Sequence, residues 1–286
     1  MTSSSTSKPS FDVTCAVPRT GRTLHNFLRK LKSLDVNNEE IDQILKVLAE
    51  SKRRSTPDLQ EALSFLQEIS GKAPHCFSIS VDRKRKQRPY RLGFLAYEWQ
   101  IGKTKIRVEG EEPHNGSSLI KLDEVDFTVV GLDELLSMTQ HYLGDPTNVT
   151  KWGMYNYQLD KPTSIRVAGS AMLTSYNDLL GGEVQDMVGF FLISKKGSSS
   201  RSPIDFETLS KHGRHVFVKG RYSGIVMAAY PQLQVEPVED VEEAVMNGEK
   251  GSVGLEIVQS GNTLKSKGLL LHGSPLFLSE SLYVVD

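Results

Sequence analysis

The chain has 286 residues, of which 34 are Lys or Arg and 35 are Asp or Glu, so its formal net charge at pH 7 is −1. A balance this close to zero gives no reason to expect nucleic acid or a membrane surface as the main partner of the whole chain. The length exceeds the usual single-domain size, and a composition of 38% hydrophobic and 24% charged residues is ordinary for a globular protein. We therefore predict two domains or two lobes.

The N-terminal segment 1–10 is rich in Ser and Thr and lacks an apolar core, so we predict a disordered tail rather than a signal peptide. No run of about 18 apolar residues occurs in the sequence, so no membrane-spanning helix is expected. The two cysteines, Cys15 and Cys76, lie far apart and favour a reducing compartment over a disulfide framework. Together these features predict a cytoplasmic protein without membrane contact.

A β-rich segment from Phe11 to Val17 is followed by a turn, Pro18 to Gly21, and then by an amphipathic helix. The apolar face of that helix consists of Leu24, Phe27, Leu28, Leu31 and Leu34. A glycine turn before a helix N-terminus near Arg22 can bind an anion, with Arg19 and Arg22 as cations. A βα junction with solvated arginines explains the same residues, so both interpretations stay open.

Two more helices are predicted next. The first spans Glu39 to Glu50, and the second begins at Thr56-Pro57, where a cap is followed by a first-turn proline. Each carries apolar residues at helical spacing, which indicates that these faces pack into a core. Contact with a partner protein is the alternative.

The most basic stretch, Arg83 to Arg91, carries six positive charges in nine residues and lies between strand candidates at Phe77–Val81 and Leu92–Tyr97. It is either a solvated hairpin tip or a clamp for a polyanion. Gly102-Lys103-Thr104 lacks the earlier glycine that a P-loop requires. The histidines and cysteines show no metal-ligand spacing, so no dedicated metal site is predicted.

Alternating strands and helices are predicted in the second half of the chain. Ile165–Ala168, Val188–Ser194 and Val216–Val218 have the composition of buried strands, and a helix from about Val238 to Met246 ends at Asn247-Gly248. Such alternation is typical of an α/β sheet flanked by helices.

The run Gly254 to Leu264 has the composition of a strand that ends in a small, hydroxyl-rich turn. A carboxylate such as Glu256 can bind the two vicinal hydroxyls of a ribose. A phosphate needs several donors close together, and the turn offers them, with a helix starting near Thr263. The donors are Ser260, Gly261, Asn262 and Thr263. An ordinary strand-to-turn junction is the alternative.

That run, with its continuation to Val285, resembles the end of the catalytic core of ATP phosphoribosyltransferase, the enzyme that opens histidine biosynthesis. The segment Val13 to Leu24 is similar to the first strand of that family and its Pro-x-x-Gly-Arg loop. Glu124 to Leu135 is similar to the Asp-x-Gly-Ile-Thr-Gly-x-Asp segment of the family. The three segments occur in the family's order along the chain.

The resemblance implies an α/β fold of two lobes with periplasmic-binding-protein-like architecture and a helical insertion in the first lobe. The implied organisation is a tail at 1–10, a first lobe at 11–150 with the insertion at about 36–72, a second lobe at 151–265 and a return to the first lobe at 266–286.

The resemblance also implies an activity, transfer of phosphoribosyl from phosphoribosyl diphosphate to N1 of ATP, with Mg²⁺ at the leaving diphosphate. It implies a homo-oligomer or an association with a regulatory subunit. Glu256 would hold the ribose hydroxyls and the turn after it the 5-phosphate. The diphosphate or triphosphate would be bound by Arg19, Thr20, Gly21 and Arg22, with Gly131 and Asp133 as the opposite wall, and Arg22 and Glu256 would act in catalysis.

Several positions depart from the family pattern. Glu256 stands where the family has Asp, Ser252 stands at another acidic position, and Thr128 and Val130 stand where the family has Gly and Thr. These departures favour a second hypothesis, a catalytically degenerate protein that keeps its cleft to bind a ligand or partner. A helical interaction module centred on residues 39–70 is a third.

Overall fold

The computed structural model describes residues 11–34, 39–51, 56–70, 76–81, 90–111, 121–143, 165–171, 187–197, 204–259 and 261–286. Up to residue 143 the chain forms six strands and four helices within these ranges: β1 (Val13–Pro18), α1 (Arg22–Leu34), α2 (Glu39–Ser51), α3 (Thr56–Ser70), β2 (Phe77–Val81), β3 (Tyr90–Phe94), β4 (Ala96–Ile101), β5 (Thr104–Glu111), β6 (Phe127–Gly131) and α4 (Leu132–Leu143).

The described residues after 143 add eight strands and four helices: β7 (Arg166–Ser170), β8 (Val188–Lys195), α5 (Phe206–Lys211), β9 (His215–Lys219), α6 (Ser223–Ala229), β10 (Gln234–Val238), α7 (Val241–Asn247), β11 (Val253–Val258), α8 (Asn262–Ser266), β12 (Leu269–His272), β13 (Leu278–Ser279) and β14 (Ser281–Val285). None of the helices in these ranges is both long and apolar enough to cross a bilayer.

The chain divides into two compact units. One contains Met1–Val130, Lys161–Leu173 and Leu282–Asp286, and the other contains Gly131–Asp160 and Thr174–Ser281. Each unit is built on its own sheet, with strand order β4-β5-β1-β6-β14-β7 in the first sheet and β10-β9-β11-β8-β12 in the second. The predicted α/β fold class with two lobes is therefore confirmed.

The two sheets share an arrangement. In the first, β1 lies between two parallel neighbours, β5 and β6. In the second, β9 lies between parallel β10 and β11, and β8 runs antiparallel to β11. In both units the chain moves from a strand with two parallel neighbours to one of those neighbours and then to the other. This order is typical of α/β units whose crossovers are helices.

The first unit has one apolar core, to which the predicted helical insertion contributes. Helix α1 buries Leu24, Phe27, Leu28 and Leu31, while Leu34 at its end is 62% exposed. Helices α2 and α3 pack into the same cluster through Ile41, Ile44, Val47, Leu48, Leu59, Ala62 and Leu66. The core interpretation of these two helices is confirmed. Both cysteines, Cys15 and Cys76, are buried, and neither forms a disulfide bond.

Two strand predictions need correction. The predicted buried strand Ile165–Ala168 is β7, and its burial was predicted wrongly, because β7 is the last strand of its sheet and pairs with β14, leaving Val167 52% exposed. The predicted strand Leu92–Tyr97 is interrupted at Leu95, whose N–H donates to the Cys76 carbonyl while its own carbonyl accepts from Gly110. Strand β3 therefore pairs with β2, and β4 pairs with β5 in the first sheet. Residues 83–89 of the basic stretch lie outside the described residues.

In the second unit, helix α7 packs directly onto β11 at Gly254. A Cβ at that position would lie 2.5 Å from Val241 Cγ1 and 2.7 Å from Val245 Cγ2. Those valines are 2% and 1% exposed, so neither has room to move. The absence of a side chain at residue 254 is thus required for the helix to approach the sheet.

We expect Gly254→Ala to destabilise the protein by about 1–3 kcal/mol, because the added methyl group overpacks the contact between α7 and β11. Urea unfolding measures the change. Gly169→Ala is the matched control, since its Cβ would meet only an ordinary contact at 3.9 Å from Tyr283 Cδ2. Equal stability of the two variants would contradict the packing described here.

Candidate functional site

Three parallel strands of the second sheet end at one edge. Strands β9, β10 and β11 finish at Lys219, Val238 and Val258. Open α/β sheets bind ligands beyond the carboxyl ends of their parallel strands. We call the segments 220–223 and 259–263, which follow β9 and β11, the carboxyl edge of the second sheet.

The turn after β11 has the backbone geometry that the sequence indicated. Gly261 has φ +68°, in the left-handed region that favours glycine, and its carbonyl accepts from Lys265 N–H at 2.9 Å. Helix α8 begins at Asn262, one residue before the expected start, and Leu264 anchors it in the core at 3% exposure. Thr263 is exposed. Ser260 and the Asn262 side chain lie outside the described residues.

Glu256 lies within β11, three residues before Gln259. Its side chain is partly buried, and its Oε1 accepts a hydrogen bond from Ile257 N–H at 2.9 Å. Burial raises the pKa of this carboxyl to about 7, against the opposing effect of that hydrogen bond, and Glu242 raises it further. Glu256 is therefore a carboxyl group that exchanges its proton near neutral pH, as general acids, bases and hydrogen-bonding acids do.

Charged residues on neighbouring elements surround Glu256. Asp240 raises its pKa and Lys219, the last residue of β9, lowers it. Lys267 forms an ion pair with Glu242. Because strand β9 pairs with β11 in parallel register, with Val218 opposite Leu255, Lys219 lies beside Glu256 on the sheet. A polar ligand beside Glu256 would therefore contact both positively and negatively charged side chains.

Asp133 is held in a buried network at the start of α4, directly after Gly131 at the end of β6. Tyr222 Oη donates to Asp133 Oδ2 at 2.8 Å, and Ser279 Oγ donates to Oδ1. The Asp133 N–H donates to Ser279 Oγ at 3.0 Å, and the residue is 6% exposed. Burial, with the nearby Asp133 carboxylate, raises the pKa of Tyr222 well above its ordinary value. Both carboxylate oxygens thus join α4 to other parts of the second unit.

The predicted turn from Arg19 to Arg22 belongs to the first unit. Arg19 N–H donates to the Glu111 carbonyl at 2.6 Å, and the Arg19 carbonyl accepts from Phe94 N–H at 2.9 Å. Its Nε donates to the Gly110 carbonyl at 3.1 Å. Thr20 is partly buried, Gly21 has φ +93° and Arg22 begins α1. The predicted strand, glycine turn and helix N-terminus are confirmed as local structure.

Thr128 has a structural contact that accounts for one departure from the family pattern. It is fully buried on β6, and its Oγ1 donates to the Ala16 carbonyl on β1 at 3.3 Å. Val130, two residues later, is also fully buried. These two side chains contribute to the core of the first sheet rather than to a polar surface.

Sequence reasoning missed the turn after β9. Arg221 Nε and Ser223 Oγ are buried there and have no hydrogen-bond partner among the described residues. A partial signal was available, since a Gly-Arg pair follows β9 as Gly220-Arg221 and another lies shortly after β1 as Gly21-Arg22, and each of these strands has two parallel neighbours in its sheet.

Among known proteins, several solved structures are similar to the structure of this chain, at low sequence identity. The ATP phosphoribosyl transferase (HisG:HisZ) complex from Thermotoga maritima is 14% identical over 96% of this chain and 86% of that chain, with a TM-score of 0.44. YhfZ from Shigella flexneri is 11% identical over 96% and 77%, with a TM-score of 0.41. The arginine-bound form of truncated ArgBP from T. maritima is 13% identical over 64% and 70%, with a TM-score of 0.35.

No family model and no curated protein matches this chain. The structural likenesses, all with TM-scores below 0.5, give no argument for a shared activity. The functional conclusion therefore depends on the residues of this chain.

Between pH 5 and pH 8 we expect the wild-type protein to lose stability, because the folded pKa of Glu256, about 7, exceeds its ordinary value of 4.5. The folded state then binds a proton at Glu256 more tightly than the unfolded state does. The contribution of Glu256 to the free energy of unfolding is therefore complete below the pKa of the unfolded state, and it is lost as the pH rises through 7. Since one pKa unit corresponds to about 1.4 kcal/mol, the loss is on the order of 2–3 kcal/mol.

Glu256→Gln keeps a neutral side chain at both pH values and should remove most of this dependence. Urea unfolding of both proteins at pH 5 and pH 8 measures it. Parallel pH profiles for the two proteins would show that Glu256 titrates at its ordinary pKa.

Proposed function

We propose that this protein is phosphoribosyltransferase-like and transfers phosphoribosyl from phosphoribosyl diphosphate to N1 of ATP, as in the first step of histidine biosynthesis. The observation that carries the proposal is the placement of Glu256 on β11 and of the Gly261 turn shortly after the end of that strand. Glu256 is partly buried with a pKa of about 7, and Gly261, five residues later, turns the chain with φ +68°. This is where α/β sheets bind ligands, and the local sequence is the one that resembles the family.

Each part of the ligand is matched to a type of side chain. Glu256 with a pKa near 7 both donates to and accepts from hydroxyl groups at neutral pH, which suits two vicinal ribose hydroxyls. The exposed Thr263 hydroxyl and the turn around Gly261 offer donors to the 5-phosphate. The proposal assigns the diphosphate or triphosphate to Arg19 and Arg22 at the N-terminus of α1.

In the proposed reaction the N1 lone pair forms a bond to the anomeric carbon of the ribose. The bond from that carbon to the diphosphate oxygen breaks, and its electron pair leaves with the diphosphate. The protein's contribution is to hold both substrates in line and to stabilise charge on the leaving group.

Mg²⁺ belongs to the proposal as the counter-ion of the diphosphate. The described residues contain no group of three or more His, Cys, Asp or Glu side chains that could hold a metal ion, so they do not fit a metal site formed by the protein alone. The ion would therefore arrive with the substrate and be held mainly by diphosphate oxygens.

A second candidate is a ligand-binding protein without catalysis. One observation favours it: both carboxylate oxygens of Asp133, a predicted wall of the site, accept hydrogen bonds from Tyr222 and Ser279. A carboxylate bonded in this way contributes to the structure of the second unit. The same two-lobed fold would then bind a phosphorylated ligand and report it to a partner.

The proposal includes a cytoplasmic location and assembly as a homo-oligomer or with a regulatory subunit. The ATP phosphoribosyl transferase of Thermotoga maritima, by comparison, is a complex of HisG with HisZ. Size-exclusion chromatography of the purified chain, alone and with candidate subunits, addresses this part.

We expect phosphoribosyl diphosphate with Mg²⁺ to bind the wild-type protein in calorimetry and Glu256→Ala to weaken that binding at least tenfold, since the ribose hydroxyls lose their partner. Glu236→Ala is the matched control, because Glu236 is an exposed carboxylate on β10 of the same sheet. Release of diphosphate on addition of ATP supports transfer, and binding without release supports the second candidate. Equal affinity of all three proteins would remove Glu256 from the site.

A further inference from the structure

The turn after β9 combines a stacked arginine with a buried serine. Gly220–Tyr222 forms a 3₁₀ turn, and Ser223 begins α6 with its N–H donating to the Gly220 carbonyl. The Arg221 guanidinium carbon lies 4.6 Å from the centroid of the Tyr222 ring. Ser137 Oγ on α4 donates to the Arg221 carbonyl. Both the backbone of the turn and the guanidinium are therefore held in place.

Two side-chain atoms of this turn are buried without a hydrogen-bond partner among the described residues, and both can donate. They are Arg221 Nε and Ser223 Oγ, two residues apart. Ser223 is 8% exposed, so water does not readily replace the missing partner. Buried polar groups are almost always satisfied, and a pair of unsatisfied donors in one turn indicates a group that completes them.

Within the described part of the chain, no carboxylate forms an ion pair with Arg221. The nearby Asp133 carboxylate is occupied by Tyr222 and Ser279. The positive charge of Arg221 is thus held in a partly buried turn at the carboxyl edge of the second sheet. Two donors with a positive charge are the complement of an anion that carries several oxygens.

We propose that Arg221 and Ser223 bind a phosphate group. Arg221 Nε–H and Ser223 Oγ–H each donate to one phosphate oxygen, and stacking on Tyr222 fixes the guanidinium plane. Because β9 and β11 are adjacent parallel strands about 5 Å apart, this turn neighbours the turn 259–263 in the same unit. A single phosphorylated ligand is long enough to contact both turns. The proposed phosphate site does not require that the protein transfers phosphoribosyl.

The test is a titration with inorganic phosphate and, separately, with diphosphate, followed by amide NMR shifts or calorimetry. We expect Arg221→Gln and Ser223→Ala each to weaken binding at least about tenfold. Arg214→Gln is the matched control, because it removes the same charge from an exposed arginine next to the opposite end of β9. Equal weakening by Arg214→Gln would overturn the proposal, since only net charge would then matter.

Thermal unfolding supplies a second readout. In buffer without phosphate, Ser223→Ala should melt no lower than wild type, because it removes a hydroxyl that lacks a partner. Added phosphate should raise the melting temperature of wild type and not that of the variant. A variant that melts lower in both buffers, with an unchanged phosphate response, would show that Ser223 has a structural partner and would overturn the site.

The outcome can be separated from that of the proposed function. If phosphate binds through Arg221 and Ser223 while the binding of phosphoribosyl diphosphate does not depend on Glu256, the phosphate site is supported and the transferase proposal fails. If Glu256→Ala abolishes phosphoribosyl diphosphate binding while phosphate binding survives both turn substitutions, the transferase proposal stands and this site fails.

Discussion

The contact of helix α7 with the bare backbone of Gly254 is the constraint on which the proposed site of the second unit depends. Glu256 lies two residues later on the same face of β11, beside the charged first turn of α7. Burial is the main cause of the raised pKa of the Glu256 carboxyl group, and Glu242 in the first turn of that helix raises it further. Gly254 therefore lets a helix with an acidic first turn pack against the strand that carries Glu256.

The same edge of the second sheet gathers side chains from distant parts of the chain. The two turns that follow β9 and β11 lie next to each other because those strands pair in parallel, and they carry Arg221, Ser223 and the Gly261 turn. The network of Asp133, Tyr222 and Ser279 fixes α4 within the same unit. A rigid scaffold with polar turns at one edge is suited to binding a phosphorylated ligand, whatever reaction follows.

Local signals in the sequence predicted much of this fold. Helices α2 and α3 were found because their apolar residues recur at helical spacing, and the Gly261 turn because few residues other than glycine adopt its conformation. The exposure of β7 was missed, since composition does not reveal which strand ends a sheet. The role of Asp133 could not be predicted, because Tyr222 lies 89 residues away and Ser279 146 residues away. The Gly-Arg turn after β9 has a partial signal in the sequence, but the burial of Arg221 Nε and Ser223 Oγ has none, because it arises only when distant elements pack.

The central claim is that Glu256 is a partly buried carboxyl group that contacts the ribose of a phosphoribosyl ligand. The most direct measurement is the pH titration of its carboxyl carbon by NMR, with and without phosphoribosyl diphosphate. The account predicts a pKa of about 7 in the free protein and a clear change of that pKa when the ligand is added. A pKa near the ordinary 4.5 that the ligand leaves unchanged would contradict it.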